Sequence, residues 1–105
     1  MDKIDLLTDS LRMGRDNAIS WKSLARIIGV SDRRAVYETI AAAREQGFII
    51  LPDNKGGYFL GETETAEGRA EIERFIKRGH NEAIAILTTL KSARLALKDC
   101  EDNNI

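Results

Sequence analysis

Residues 19–50 read ISWKSLARIIGVSDRRAVYETIAAAREQGFII, a stretch in which two helices separated by a tight turn can be traced. Ser20 is of a residue type that caps helix N-termini, and Gly29 is of the type that ends a helix in the left-handed conformation. The helix between them is expected to turn three residues inward: Leu24, Ile27 and Ile28. Only Val30 separates Gly29 from the next capping residue, so the turn is short.

The second helix of this stretch is predicted over residues 31–46. Ser31 is its expected cap, Asp32 lies in the first turn, where the helix dipole favours negative charge, and Gly47 stops the helix. Val36 and Ile40 are spaced to face a core. That spacing turns four residues of the first two turns toward solvent: Arg33, Arg34, Tyr37 and Glu38.

Another helix is predicted near the N-terminus, ahead of these two. Ile4, Leu7 and Leu11 recur at helical spacing, and Gly14 follows where a helix commonly closes. The chain therefore begins with three predicted helices in succession, of which the second and third have the layout of a helix-turn-helix.

A β-hairpin is predicted directly behind the third helix. FIIL at 48–51 and YFL at 58–60 are strand-like runs, and PDNKGG at 52–57 between them is dense in turn formers. Ile19 can add a brief third strand. The expected fold is mainly α with a small β-hairpin, in which residues 1–61 form three helices plus the hairpin.

A long C-terminal helix is predicted over residues 66–99, after a polar linker at 62–65 and before an acidic tail at 100–105. Its apolar residues alternate four and three apart, which is a heptad pattern, and Gly79 and Ala93 lie in the same stripe. The expected dimerisation residues are Ile72, Ile76, Ala83, Ile86, Leu90 and Leu97. The helix either pairs with that of a second copy or folds back over its own domain; the narrow stripe favours a homodimer.

Composition argues against several classes of protein. The net charge of −1 is low for a nucleic-acid binder, although residues 19–61 hold six basic against four acidic residues and residues 69–98 hold seven against three. His80 is the only histidine and Cys100 the only cysteine, and no catalytic triad or phosphate-binding loop occurs. We therefore expect no enzyme, no metal and no cofactor.

The chain is expected to be cytoplasmic and to have no membrane partner. No apolar run approaches the roughly 20 residues that cross a bilayer. The N-terminal MDKIDLLTDS is acidic and amphipathic, whereas a signal peptide is basic and then apolar.

Several short motifs within residues 17–61 occur together in one known family. They are Ile19-Ser20, Leu24-Ala25, Ile28-Gly29-Val30-Ser31, Ala35-Val36, Ile40, Gly47-Phe48-Ile49 and Gly57-Tyr58-Phe59-Leu60. As a package they resemble the winged helix-turn-helix at the N-terminus of bifunctional biotin ligase-repressors and in many small bacterial and phage regulators. GGYFL, a short acidic linker and an Arg-rich helix are also similar to small winged-helix proteins of phages and prophages. The resemblance implies double-stranded DNA binding by the third helix and backbone contacts from the wing, without biotin chemistry.

The residues expected to contact DNA are Lys22, Ser31, Arg33, Arg34, Tyr37, Glu38 and Lys55. Arg33 and Arg34 can each offer a bidentate fork to guanine, and Lys22 and Lys55 can reach phosphates. Glu38 would partly neutralise a neighbouring arginine, so one copy should bind weakly. The alternative for these side chains is an ordinary solvated helix face, and for Trp21 packing is expected rather than base stacking.

These features predict a transcriptional regulator or a replication accessory factor that binds DNA as a homodimer, with a transcription or replication protein as a further possible partner. A protein-interaction adaptor that keeps the same fold without reading DNA is the alternative, because fold alone does not establish function.

Overall fold

The computed structural model describes residues 2–103, which form four α-helices and a three-stranded antiparallel sheet. The chain divides into two compact units, Met1–Ile72 and Glu73–Ile105. The predicted combination of a mainly helical fold, a small β-hairpin and a long C-terminal helix is confirmed at this level.

Three helices lie in the first unit: α1 (Lys3–Ser10), α2 (Trp21–Ile28) and α3 (Arg33–Glu45). The predicted cap of α2 is confirmed, because the Ser20 hydroxyl accepts a hydrogen bond from the Ser23 amide at 3.2 Å. Gly29 ends α2 in the left-handed conformation, with a φ of 76°. Helix α3 ends two residues before Gly47, so both predicted stops are confirmed.

The predicted role of Gly14 is wrong. Helix α1 ends at Ser10, and Gly14 instead precedes a short 3₁₀ turn at Arg15–Asn17. The Gly14 amide donates to the Leu60 carbonyl at 3.1 Å. The chain after α1 is thus already extended along the sheet. The hydrogen bond between Gly14 and Leu60, and not a helix cap, determines the position of this glycine.

The predicted inward position of Ile27 is also wrong. Its side chain is 38% exposed, whereas Leu24, Ile28 and the smaller Ala25 are buried. Successive residues of a helix are about 100° apart, so positions 24, 25 and 28 share one face, and position 27 lies about 110° from the centre of that face. The buried face of α2 is therefore rotated toward Ala25 and away from Ile27.

The sheet consists of β1 (Ile19–Ser20), β2 (Ile50–Pro52) and β3 (Gly57–Leu60), in the order β1-β3-β2. Ile19 lies opposite Tyr58, which confirms the predicted third strand. A Cβ on Gly57 would come within 2.9 Å of the Ile19 carbonyl oxygen, so glycine is what allows β1 and β3 to approach. Phe48 and Ile49, predicted to begin the hairpin strand, precede β2 and are exposed.

One apolar cluster packs the three helices against one face of the sheet. Ile50 and Tyr58 belong to it from the sheet, and Val36 and Ile40 from α3. The remaining members come from the chain ahead of the sheet and from the helices: Leu7, Leu11, Leu24, Ala25, Ile28 and Ala43. The core thus fixes which side of α3 faces outward.

Helix α4 (Ala66–Asn103) continues beyond the predicted end at residue 99, so residues 100–103 of the predicted tail are helical. Asn104 and Ile105 lie outside the described residues. Every side chain from Ile76 to Asp102 is exposed. Within residues 2–103, none of the helices is both long and apolar enough to cross a membrane.

The second face of the sheet is covered by the 3₁₀ turn and the first turns of α4. Phe59 is buried there, and the Arg15 guanidinium lies over its ring at 5.3 Å from the centroid. Arg15 also lies 3.5 Å from the carboxylate of Glu71. A Cβ on Gly68 would collide with the carbonyl oxygen of Glu62, so the linker passes directly over the helix at this point.

Candidate nucleic-acid interface

The outer face of α3 is polar along its first two turns. Val36 and Ile40 are buried, and the Thr39 hydroxyl is satisfied by the Ala35 carbonyl at 2.9 Å. The opposite side of the helix therefore faces solvent. The four residues predicted to lie there are all exposed: Arg33, Arg34, Tyr37 and Glu38.

The start of α3 differs from the prediction. The helix begins at Arg33, and Asp32, not Ser31, is its cap, since the Asp32 carboxylate accepts from the Ala35 amide at 2.8 Å. Both residue types cap helices, but a carboxylate at this position also gains from the helix dipole. Ser31 lies one residue earlier in an exposed bend. The negative charge of Asp32 is thereby directed at the helix N-terminus.

Arg34 and Glu38 form an ion pair one helical turn apart. The Arg34 Nε donates to Glu38 Oε1 at 3.2 Å, and both side chains are largely exposed. Exposed pairs at this spacing contribute only about 0.3–0.5 kcal/mol. The neutralisation expected from the sequence is thus present, but it is weak enough for a phosphate to replace it.

Trp21 joins three elements of the first unit. Its backbone amide donates to the Gly56 carbonyl at 3.1 Å, which ties the start of α2 to the hairpin turn. The Lys22 ammonium and the Arg33 guanidinium each lie 5.9 Å from the centre of its ring, within the range of a cation–π contact. The ring also packs, half-buried, against the core. The packing expected from the sequence is confirmed, and the ring additionally brings two predicted DNA contacts together.

The hairpin turn is closed by a carboxylate. Asp53 Oδ1 accepts from the amides of Lys55 at 3.0 Å and Gly57 at 2.6 Å. The Lys55 side chain is exposed. Because Lys55 directly precedes Gly56, whose carbonyl binds Trp21, it lies at the same end of the unit as Lys22 and Arg33.

These residues form what we call the basic edge: Lys22, Arg33, Arg34, Tyr37 and Lys55, arranged with Trp21 at the joint between α2, α3 and the hairpin. Arg34 and Tyr37 continue along α3 away from Trp21, with Glu38 beside them. The sequence pattern does not identify Trp21 as the joint. The available signal was a single tryptophan next to a lysine at the start of a helix, but its partner in the hairpin is remote in sequence.

A cavity of about 300 Å³ lies on the second face of the sheet. Four acidic residues line it, Asp16, Glu62, Glu67 and Glu71, with Arg15 as the basic residue. Among the described residues no group hydrogen-bonds to Glu71 Oε2, although the Arg15 Nε is near enough for an ion pair. Arg15 and Glu71 are therefore held by charge attraction at 3.5 Å and not by a hydrogen bond. An acidic lining repels phosphate, so this cavity does not belong to a nucleic-acid interface.

The predicted dimerisation residues divide between the two units. Ile72 lies in the first unit, where it is half-buried and close to Gly61. The other five lie in the second unit and are exposed: Ile76, Ala83, Ile86, Leu90 and Leu97.

Among the described residues, no group of three or more His, Cys, Asp or Glu side chains is placed to hold a metal ion. His80 and Cys100 are both exposed on α4. In comparisons with known proteins, no protein-family model, curated protein or solved structure matches this chain.

Proposed function

We propose that the first unit is a winged helix-turn-helix that binds double-stranded DNA, with α3 in the major groove and the hairpin as the wing. The observation that carries this proposal is the basic edge, in which cations from α2, α3 and the hairpin lie at one end of the unit around Trp21. The major groove of B-DNA admits an α-helix, and exposed side chains on its first turns reach the base edges.

The arginines suit base recognition better than the lysines. A guanidinium offers two parallel donors that match O6 and N7 of guanine, whereas an ammonium acts as a point charge on phosphate. Arg33 lies beside the Trp21 ring, which restricts its motion and lowers the entropy lost on binding. We therefore assign base contact to Arg33, and phosphate contact to Lys22 and Lys55.

Binding by one copy should be modest and sensitive to salt. The net charge is −1, and Asp32 and Glu38 lie among the cations of α3. If Lys22 and Lys55 each neutralise a phosphate, while Arg33 contacts bases and Arg34 stays paired with Glu38, the logarithm of the affinity falls with the logarithm of salt concentration with a slope of about −2. In the cell this activity suits a transcriptional regulator or a replication accessory factor.

Fluorescence anisotropy of a labelled mixed-sequence duplex, measured across a salt series, tests the proposal. Binding with a linear log–log salt dependence is expected. Arg33→Ala should weaken binding to a selected site by about tenfold or more and relax its specificity. Arg12→Ala is the matched control, because Arg12 is exposed and its backbone pairs with Leu60, at the end of the hairpin away from the turn.

Two results would overturn this function. Absence of duplex binding at low salt, together with a stoichiometric protein partner retained at high salt, would show that the chain is an adaptor. Equal losses from Arg33→Ala and Arg12→Ala would show that α3 does not read the bases.

A further inference from the structure

An apolar stripe lies along α4 in the second unit. Its members, which we call the seam, are Ile76, Gly79, Ala83, Ile86, Leu90, Ala93 and Leu97. All are exposed, and the four large ones are between 43% and 63% exposed. Because most of a helix's stability in a protein comes from packing of its apolar face, the seam requires a covering surface.

We propose that a second copy of the chain covers the seam, with the two helices antiparallel and Ile76 of one copy opposite Ala93 of the other. The heptad spacing is that of a helix pairing with a helix, and a two-fold axis closes the contact as a dimer. The proposal concerns the second unit alone and does not rest on DNA binding.

Residue size selects the antiparallel direction. In the proposed register, Ile76 faces Ala93 of the second copy, Gly79 faces Leu90, and Ala83 faces Ile86. The two-fold axis repeats these layers, so every layer from residue 76 to residue 93 contains one large and one small side chain. Paired helices keep a nearly constant separation of about 8–10 Å, which layers of equal volume fill without voids.

A parallel, in-register pair would lack this complementarity. Each seam residue would then face its own copy, so Gly79 would meet Gly79 and Ala83 would meet Ala83, and both layers would be underfilled. Ile86 and Leu90 would in turn form layers of two large residues. The underfilled layers at positions 79 and 83 would forfeit packing contacts.

Charge selects the register. In an antiparallel pair, the residues that flank the same side of the seam face one another. The proposed register places Glu73 near Arg94 of the second copy, an attraction that the two-fold axis repeats. A shift of one heptad in one direction would place Glu73 near Glu101, and a shift in the other direction would oppose the two copies of Glu82.

The proposed overlap is short, since 18 residues at 1.5 Å each span about 27 Å. Interfaces of this size belong to the small, reversible class. A dimer that forms at tens of micromolar and dissociates on dilution is therefore expected, and light scattering over a concentration series measures it.

Site-directed crosslinking tests direction and register together. In a Cys100→Ser background, Ile76→Cys and Ala93→Cys are made in separate chains, and each is treated with a short bis-maleimide alone and in an equimolar mixture. The antiparallel pair brings position 76 next to position 93, while two copies of either position are about 26 Å apart. Crosslinked dimer is expected only from the mixture, with one chain of each kind.

The other outcomes overturn the proposal. A parallel pair would crosslink each variant with itself and give no mixed product. In that arrangement the unaltered chain would also readily form a disulfide between two Cys100 residues, because Cys100 follows Leu97 at seam spacing. A chain that remains monomeric at hundreds of micromolar and yields no crosslink would rule out pairing. Positions 76 and 93 are exposed, so circular dichroism should show unchanged helicity in both variants.

Discussion

Glu38→Gln removes one negative charge from the basic edge with almost no change in shape. Glu38 accepts a hydrogen bond from the Arg34 Nε at 3.2 Å, and both side chains are largely exposed. Because such a pair contributes about 0.3–0.5 kcal/mol, the free energy of unfolding should fall by no more than about 0.5 kcal/mol. The fold should therefore survive, and any larger effect on DNA binding reflects the interface itself.

The expected gain in binding follows from releasing Arg34. One additional phosphate contact steepens the slope of log affinity against log salt by about 0.9, which at 0.1 M salt corresponds to up to about eightfold tighter binding. Glu38→Gln should therefore bind a mixed-sequence duplex more tightly than the unaltered chain, by a margin that shrinks as salt is added.

Anisotropy titrations across a salt series measure both quantities. Glu45→Gln is the matched control, because Glu45 is an exposed residue of the same helix, at its other end, and the substitution changes the net charge equally. Equal tightening by the two variants would indicate a general charge effect and refute the placement of α3. Weaker binding by Glu38→Gln, or an unchanged slope, would show that the first turns of α3 do not meet phosphate.

Three further outcomes are expected. Gly57→Ala should destabilise the first unit by about 1–3 kcal/mol in urea unfolding, because its Cβ would lie 2.9 Å from the Ile19 carbonyl oxygen. Gly79→Ala is the control and should instead stabilise α4 slightly, because a Cβ on Gly79 would have no neighbour within 4 Å. Leu24→Ala should cost about 2–5 kcal/mol by the same assay, since Leu24 is fully buried in the core. The emission of Trp21, the only tryptophan, should change when duplex is added and recover at high salt; an unchanged spectrum on confirmed binding would place DNA elsewhere.

Much of the fold could be predicted from the sequence because its signals act over a few residues. The Ser20 cap bonds to an amide three residues away, and Gly29 ends α2 through its own backbone angle. The spacing of Val36 and Ile40 determines the inward side of α3 and hence the exposure of Arg33 and Arg34. In each case the residues that decide the conformation lie within one or two helical turns of one another.

Other features required the tertiary structure, because they depend on partners that are remote in sequence. Gly14 pairs with Leu60 instead of closing α1, and Trp21 contacts both Arg33 of α3 through its ring and the carbonyl of Gly56 in the hairpin turn through its amide. Local signals name the residue types that can take part in such contacts, but the packing of helices against the sheet selects the pairs that form. The sequence by itself therefore determined the elements and the outward residues of α3, whereas the joint that assembles the basic edge was decided by how those elements pack.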